Sequence, residues 1–169
     1  FVGGMASSVH LAQIPVMKRY QKITIWSGAA SYLCENAVGP DADWYFHLHP
    51  WDYQQGASYG LGWTELAEAY PDIEISKIFL AYEEGGFGSA SHESYLVLQS
   101  QANQGEGSWA AVMGDYMGVS FKSAALGGGD YRAMLQQAKA YDPDLFVWAG
   151  YDADALPMLQ QAKEIGFAP

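Results

Sequence analysis

The sequence predicts an α/β fold, an open three-layer αβα sandwich around a mostly parallel sheet, and three observations lead there. Continuous apolar runs at Ile23 to Trp26, Ile78 to Tyr82 and Leu145 to Trp148 read as strands buried on both faces, as parallel sheets require. Each run opens into glycines and small hydroxyl residues just ahead of a stretch with helical spacing. Half of the 169 residues are apolar, which is enough core for one α/β domain or for parts of two.

Taken in order, Phe1-Val2-Gly3-Gly4 reads as the tail of a buried strand. A helix is expected from Ser8 to Tyr20, with Ser7 or Ser8 as N-cap and Val9, Ala12, Val16 and Met17 on its apolar face. Pro15 should kink it or limit its second half. After the strand at Ile23 to Trp26 comes the turn Ser27-Gly28-Ala29-Ala30-Ser31, then a short helix or turn from Ala30 to Asn36 and a loop at Gly39 to Asp43. Trp44 to His49 reads as a strand. From Tyr53 to Tyr70 the residues Tyr59, Trp63, Leu66 and Tyr70 share one helical face, and Gly56, Gly60 and Gly62 point to close packing against a neighbour, since each costs about 1 kcal/mol in a helix.

The central stretch, Lys77 to Gln99, is an apolar strand, a glycine-rich turn and a helix. Gly105-Glu106-Gly107 reads as a loop and Trp109 to Tyr116 as a helical or buried turn. Val119 to Phe121 starts another strand and Gly127-Gly128-Gly129 is a turn. Asp130 should cap a helix with Tyr131, Met134, Leu135 and Ala138 at i, i+3, i+4 and i+7. The last helix is expected to bury Ala155, Met158, Leu159 and Ala162, with Pro157 in its first turn. A domain boundary falls near Pro50 to Asp52, so that residues 1–50 form part of a first lobe and 51–169 most of a second. The opening on a strand tail and the close at Gly166-Phe167-Ala168-Pro169, where a next strand would follow, read as a piece of a longer protein.

The net charge of −11 repels phosphate backbones and anionic lipid surfaces, so nucleic acid is a poor partner. The single cysteine, Cys34, excludes a disulfide within the chain and a cysteine-based zinc site. Among candidate chemistries, Gly56-Ala57-Ser58-Tyr59-Gly60 matches a nucleophile elbow with Ser58 as nucleophile, but the polar, helical run before it is the wrong context. His47 and His49, even with Asp52, make a weaker case for a metal than for a strand-surface pair. Glu83-Glu84 and Asp152/Asp154 read better as solvated acids or helix caps than as acid/base pairs. Gly85, Gly86 and Gly88 complete no nucleotide motif. Ser7, Ser8 and Ser31 stand out because each follows a strand, where a hydroxyl can join helix N-terminal amides to hold a carboxylate, or can simply cap the helix.

These motifs, in series, resemble the leucine/isoleucine/valine-binding class of periplasmic binding proteins, the solute receptors of amino-acid ABC transporters. Gly3 to Ser8 is similar to the G-x-x-x-S-S turn of that family, Pro15-Val16 with Tyr20 to its A-P-V…Y helix, and Ser27 to Ser31 to its S-P-S-A-T turn. Phe46 to Gly56 resembles the F-R-T-x-P-S-D-x-Q-Q-G crossover and Tyr82 to Gly88 the Y-x-D-x-x-Y-G turn. Pro143-Asp144, Ala149-Gly150-Tyr151 and Gln160 to Gly166 complete the run.

The resemblance spans the chain and covers about the middle half of such a receptor. It implies two α/β lobes closing on a small-molecule ligand, no catalysis and no cofactor. The partner would be a membrane permease, and the place periplasmic or extracellular, with or without a lipid anchor. By position, Ser8 or Ser7 with Ala29, Ala30 and Ser31 would hold a carboxylate from one lobe, and Phe87 and Tyr151 would close from the other. Phe87 stands where the family has Tyr, and Ser31 where it has Thr. The acid that meets an amino acid's ammonium would lie beyond Pro169. The alternatives are a sensing domain of the same fold attached to a receptor or regulator, and a serine hydrolase using Ser58.

Overall fold

A computed structural model describes residues 1–72, 75–105 and 114–168. Among these, strands and helices alternate: β1 (Val2–Gly3), α1 (Ser7–Tyr20), β2 (Thr24–Trp26), α2 (Tyr32–Val38), β3 (Tyr45–His47), α3 (Asp52–Ala69), β4 (Lys77–Glu83), α4 (Gly86–Asn103), β5 (Asp115–Phe121), α5 (Arg132–Tyr141), β6 (Leu145–Ala149) and α6 (Asp152–Glu164). A 3-10 turn at Ala124–Leu126 follows β5. The strands form two parallel sheets, ordered β1-β2-β3 and β5-β4-β6. Helices flank parallel sheets throughout, as the apolar runs require. Trp51, at the start of α3, packs with the first sheet's core, and α3 itself lies against α4.

The second sheet is the better buried. Ile78, Phe79, Leu80 and Ala81 are all at 0% exposure, and alternate strand residues serve two cores. Phe79 and Ala81 face Tyr131, Leu135, Met158 and Phe167, while Ile78 and Leu80 face Tyr95 and Leu98 of α4. Gly56 of α3 meets α4 so closely that a Cβ would lie 2.9 Å from Ser94 Cβ; close packing accounts for this glycine, as it cannot for Gly62, which faces open space.

Several local expectations are corrected. Ala6, not a serine, is the N-cap of α1, and the helix runs through Pro15 to Tyr20. Its buried residues are Ser7, His10 and Ile14, while Val9 and Val16 are exposed. Together with the exposed Phe1, Val2, Met5 and Tyr20 they border an apolar groove of about 880 Å³, so Phe1-Val2 is not a buried strand tail. Strand β5 begins at Asp115, four residues before the expected start; residues 109–113 lie outside the described residues. Tyr131 rather than Asp130 is the N-cap of α5, with Asp130 Oδ1 accepting from Arg132 N at 3.3 Å. Pro157 sits inside α6, beyond its first turn, and Leu159 is exposed.

The first core contains a buried histidine. His10 is fully enclosed, its ring edge-on to Trp26 at 3.6 Å and its Nε2 2.8 Å from the Tyr45 hydroxyl, while Nδ1 has no partner. Burial, then the nearby His47, lowers its pKa to about 4. Below its ordinary value of about 6.5 the unfolded chain takes up a proton that the folded chain refuses, so stability is full above pH 6.5 and falls as pH drops toward 4. The expected loss is about 2 kcal/mol between pH 7 and pH 5. Thermal melts of wild type and His10→Gln at the two pH values check this: the pH dependence should be smaller in the variant, His47 and His92, also lowered by burial, retaining theirs, and an unchanged dependence would remove His10 as a source.

Candidate functional site

Two turns of the first sheet are built to touch. A Cβ on Gly28 would sit 2.6 Å from Met5 Cα, so glycine is needed for the β1–α1 and β2–α2 turns to pack together. Ala29 N donates to Met5 O at 2.7 Å, His47 Nε2 lies 2.7 Å from Gly28 O, and Ala29 takes a φ of 67°. That is the left-handed region, which costs a residue with a Cβ about 1 kcal/mol or more. The turn is therefore held in a strained shape by its neighbours.

This packing places Ser7 beside Ser31, both essentially buried. Ser31 N donates to Ser7 Oγ at 3.2 Å, and Leu33 N donates to Ser31 Oγ at 3.3 Å. Ser31 is thus the cap of α2, yet each hydroxyl uses only a lone pair in these bonds and retains its proton to donate. Helix α1 has no side-chain cap and no acidic residue in its first turn, so its leading amides and the positive end of its dipole remain available to an anion. Ala29 and Ala30 are buried in the turn. The Ala29 amide is engaged with Met5 and the Ala30 carbonyl accepts from Asp52 N at 2.8 Å.

Facing these turns are the starts of α4 and α6. Phe87 and Tyr151 pack as a tilted aromatic pair with centroids 6.1 Å apart. The Tyr151 hydroxyl is buried without a hydrogen-bond partner. Burial foremost, then the charge of Glu83, raises its pKa, and the nearby Ser8 side chain opposes the rise without reaching normal bonding geometry. Of the residues singled out in the sequence, Ser7 and Ser31 lie together with Ala29 and Ala30 in the adjoining turn, and Tyr151, paired with Phe87, lies near Ser8.

The start of α4 differs from that of α1. Glu83, 1% exposed, turns its carboxylate under the helix and accepts from the amides of Gly85, Phe87 (3.1 Å) and Gly88 (2.9 Å). An internal anion already fills this N-terminus. Asp154 does the same for the second half, accepting from Ser123 Oγ, Ala124 N, Tyr131 Oη and Tyr151 N. Both acids are caps, though buried rather than solvated. Asp52 joins α2 to α3, accepting from Tyr32 N and Tyr53 N; its pKa is raised by burial, with those amide bonds opposing.

The other candidates separate from this site. Ser58 lies within α3, exposed, and donates to Gln54 O at 3.1 Å; a strand-to-helix elbow is not what surrounds it. His47 stacks on Trp51 at 3.7 Å, and His49 accompanies the half-buried Gln55. Among the described residues no cluster of three metal-ligating side chains forms, and no helix is long and apolar enough to cross a membrane.

No family model matches the chain, and no curated protein does. Solved structures do. A leucine-binding protein, LivK, from Thermotoga maritima aligns with TM-score 0.73 and 18% identity over 99% of this chain and 41% of its own. A solute-binding protein of an ABC transporter from R. palustris, solved with 4-hydroxybenzoate, gives 0.69 and 13% over 98% and 39%. A periplasmic binding protein from Burkholderia mallei gives 0.66 and 20% over 98% and 38%. This chain spans about two fifths of the length of each. Two parallel sheets whose turns face one another, superposable along nearly the whole chain on those proteins, give it the fold of the type I periplasmic binding proteins.

Proposed function

We propose that the chain is the central part of an extracytoplasmic solute-binding receptor of an ABC importer. It would take an amino acid of branched-chain type or another small carboxylate between a first lobe, residues 1–50, and a second, 51–169. Its membrane partner would be the permease, and the parent protein would be periplasmic or extracellular, free or lipid-anchored. The carrying observation is the pair of buried hydroxyls, Ser7 and Ser31, each with a proton to donate, beside the uncapped start of α1 and opposite an aromatic pair. Donors gathered at a positive helix end and covered by apolar walls suit a carboxylate with an apolar body.

Replacing Ser7 or Ser31 by Ala should weaken binding of such a carboxylate by about 1.5 to 3 kcal/mol, the range for bonds to charged groups. Calorimetry on the full-length protein reads this, and unchanged affinity in both variants would reduce the serines to structural caps. A second reading, an aromatic carboxylate, draws support from Phe87 and the unpartnered Tyr151 hydroxyl, and from the hydroxybenzoate held by the R. palustris protein. Phe87→Tyr should alter preference between leucine and 4-hydroxybenzoate while leaving the melting temperature nearly unchanged. Identical preference in the variant would place the side chain outside the site.

A further inference from the structure

We infer that Gly86 sets how far the two lobes can close and thereby the width of the ligand space, a role that rests on the two-lobed reading above. Gly86 opens α4, is half-buried, and has no left-handed backbone angle, so its conformation does not require glycine. Its surroundings limit what can stand there to little more than a methyl. Apart from its chain neighbours and its own helix backbone, the three atoms nearest to a Cβ built there all belong to the first lobe: Leu11 Cδ1 at 3.1 Å, Ser7 Cβ at 3.6 Å and Ser31 Oγ at 3.9 Å.

The contrast with adjacent glycines isolates the effect. A Cβ on Gly85 or Gly88 would strike Glu83, within the second lobe; those two serve the fold of the turn. Of these three, only at Gly86 does the missing side chain make room for the other lobe, and it does so against Leu11 and the two serines assigned to the carboxylate. Two turns further along the same helix, Glu93 accepts a hydrogen bond from Tyr32 of α2. Helix α4 therefore meets the first lobe at two points, one at the site and one beyond it, and a rigid helix touching at both fixes the closing angle.

A single methyl at 86 meets the end of a flexible Leu11 side chain, which can turn aside. A leucine there has no such room, because Ser7 and Ser31 are fixed by their bonds to each other and to α2. The Gly86→Leu variant should thus hold the lobes apart and lower the closed population, with apparent affinity falling in proportion to that population.

Spin labels at Arg19→Cys and Gln137→Cys, both exposed, report the distance between lobes. Native Cys34 is buried, its thiol pKa pushed up to about 12 by burial and then by Asp52, so it resists labelling. In the full-length protein, Gly86→Leu should shift the distance distribution to longer values, with and without 10 mM L-leucine or 4-hydroxybenzoate, while Gly86→Ala stays close to the parent. Affinity for whichever probe narrows the parent distribution should fall at least about tenfold in Gly86→Leu. An unshifted distribution in a Gly86→Leu variant with parent-like circular dichroism would overturn the inference. Failure of both carboxylates to narrow the parent distribution would instead count against the proposed function, while the propping effect of leucine would still register.

Discussion

Replacing Asp154 by Ala should lower the stability of the second sheet and its helices by at least about 3 kcal/mol, the largest effect expected of any single side chain here. The carboxylate is at 0% exposure and accepts from the Ser123 hydroxyl, Ala124 N at 2.7 Å, Tyr131 Oη at 2.7 Å and Tyr151 N at 3.0 Å. Its removal leaves these donors buried and unpaired, at about 1 to 3 kcal/mol each before relaxation. In a domain of this size that is a drop of roughly 6 to 12 °C in melting temperature. Burial alone would raise the carboxyl pKa, but the bonds from Tyr131, Ala124, Tyr151 and Ser123 outweigh it and the net shift is downward. A carboxyl held below its usual range keeps its contribution at every pH above about 4 and loses it only as pH falls through the folded value. The Asp154→Ala penalty should therefore be the same at pH 5 and pH 7, unlike the His10 effect. A melting temperature within about 2 °C of wild type would show that the network carries no load.

The second large effect is expected at Glu83. Glu83→Ala removes the acceptor of three amides at the start of α4 and should cost about 3 kcal/mol or more. It should also release the segment that carries Gly86 and Phe87. Amide hydrogen exchange separates the two consequences: faster exchange confined to 85–89 is the local signature, whereas protection equal to wild type at Phe87 and Gly88 would contradict the capping role. Glu83→Gln, which keeps an acceptor, should fall between the two.

These two acids show where the sequence is legible. Adjacent or near-adjacent carboxylates after a strand were readable as caps rather than as acid/base pairs, because neither pair can aim both groups at one substrate. Their depth was not readable. Apart from the local Tyr151 N, the donors to Asp154 come from Ser123, Ala124 and Tyr131, more than 20 residues away in sequence, and only the tertiary fold brings these together. The same limit explains α1. Its helical period was plain, yet both of its faces carry apolar residues, so Val9 and Val16 were as good a core face as Ile14, and His10 looked polar until Trp26 and Tyr45 enclosed it.

Within the candidate site, Ser7, Ser8 and Ser31 stand out in the sequence because each follows a strand, whereas Phe87 and Tyr151 come only from the resemblance to the receptor family. Gly86 was not legible, since nothing local marks it among three glycines in four residues. Its distinction lies in Leu11, Ser7 and Ser31, all from the opposite side. Pro15 and Pro157 mark a further limit: local rules end or confine a helix at proline, whereas both helices continue through theirs.

Native mass spectrometry of the full-length protein, purified without added ligand, is the decisive measurement for carboxylate binding at the paired serines. Run beside it, a Ser7→Ala/Ser31→Ala double variant asks whether what is retained depends on the two hydroxyls. A small carboxylate should be bound one to one to the parent and lost from the double variant, both proteins remaining folded. The same molecule retained by the double variant, or no small molecule held by the parent even after leucine and 4-hydroxybenzoate are added to saturation, would contradict the proposed function.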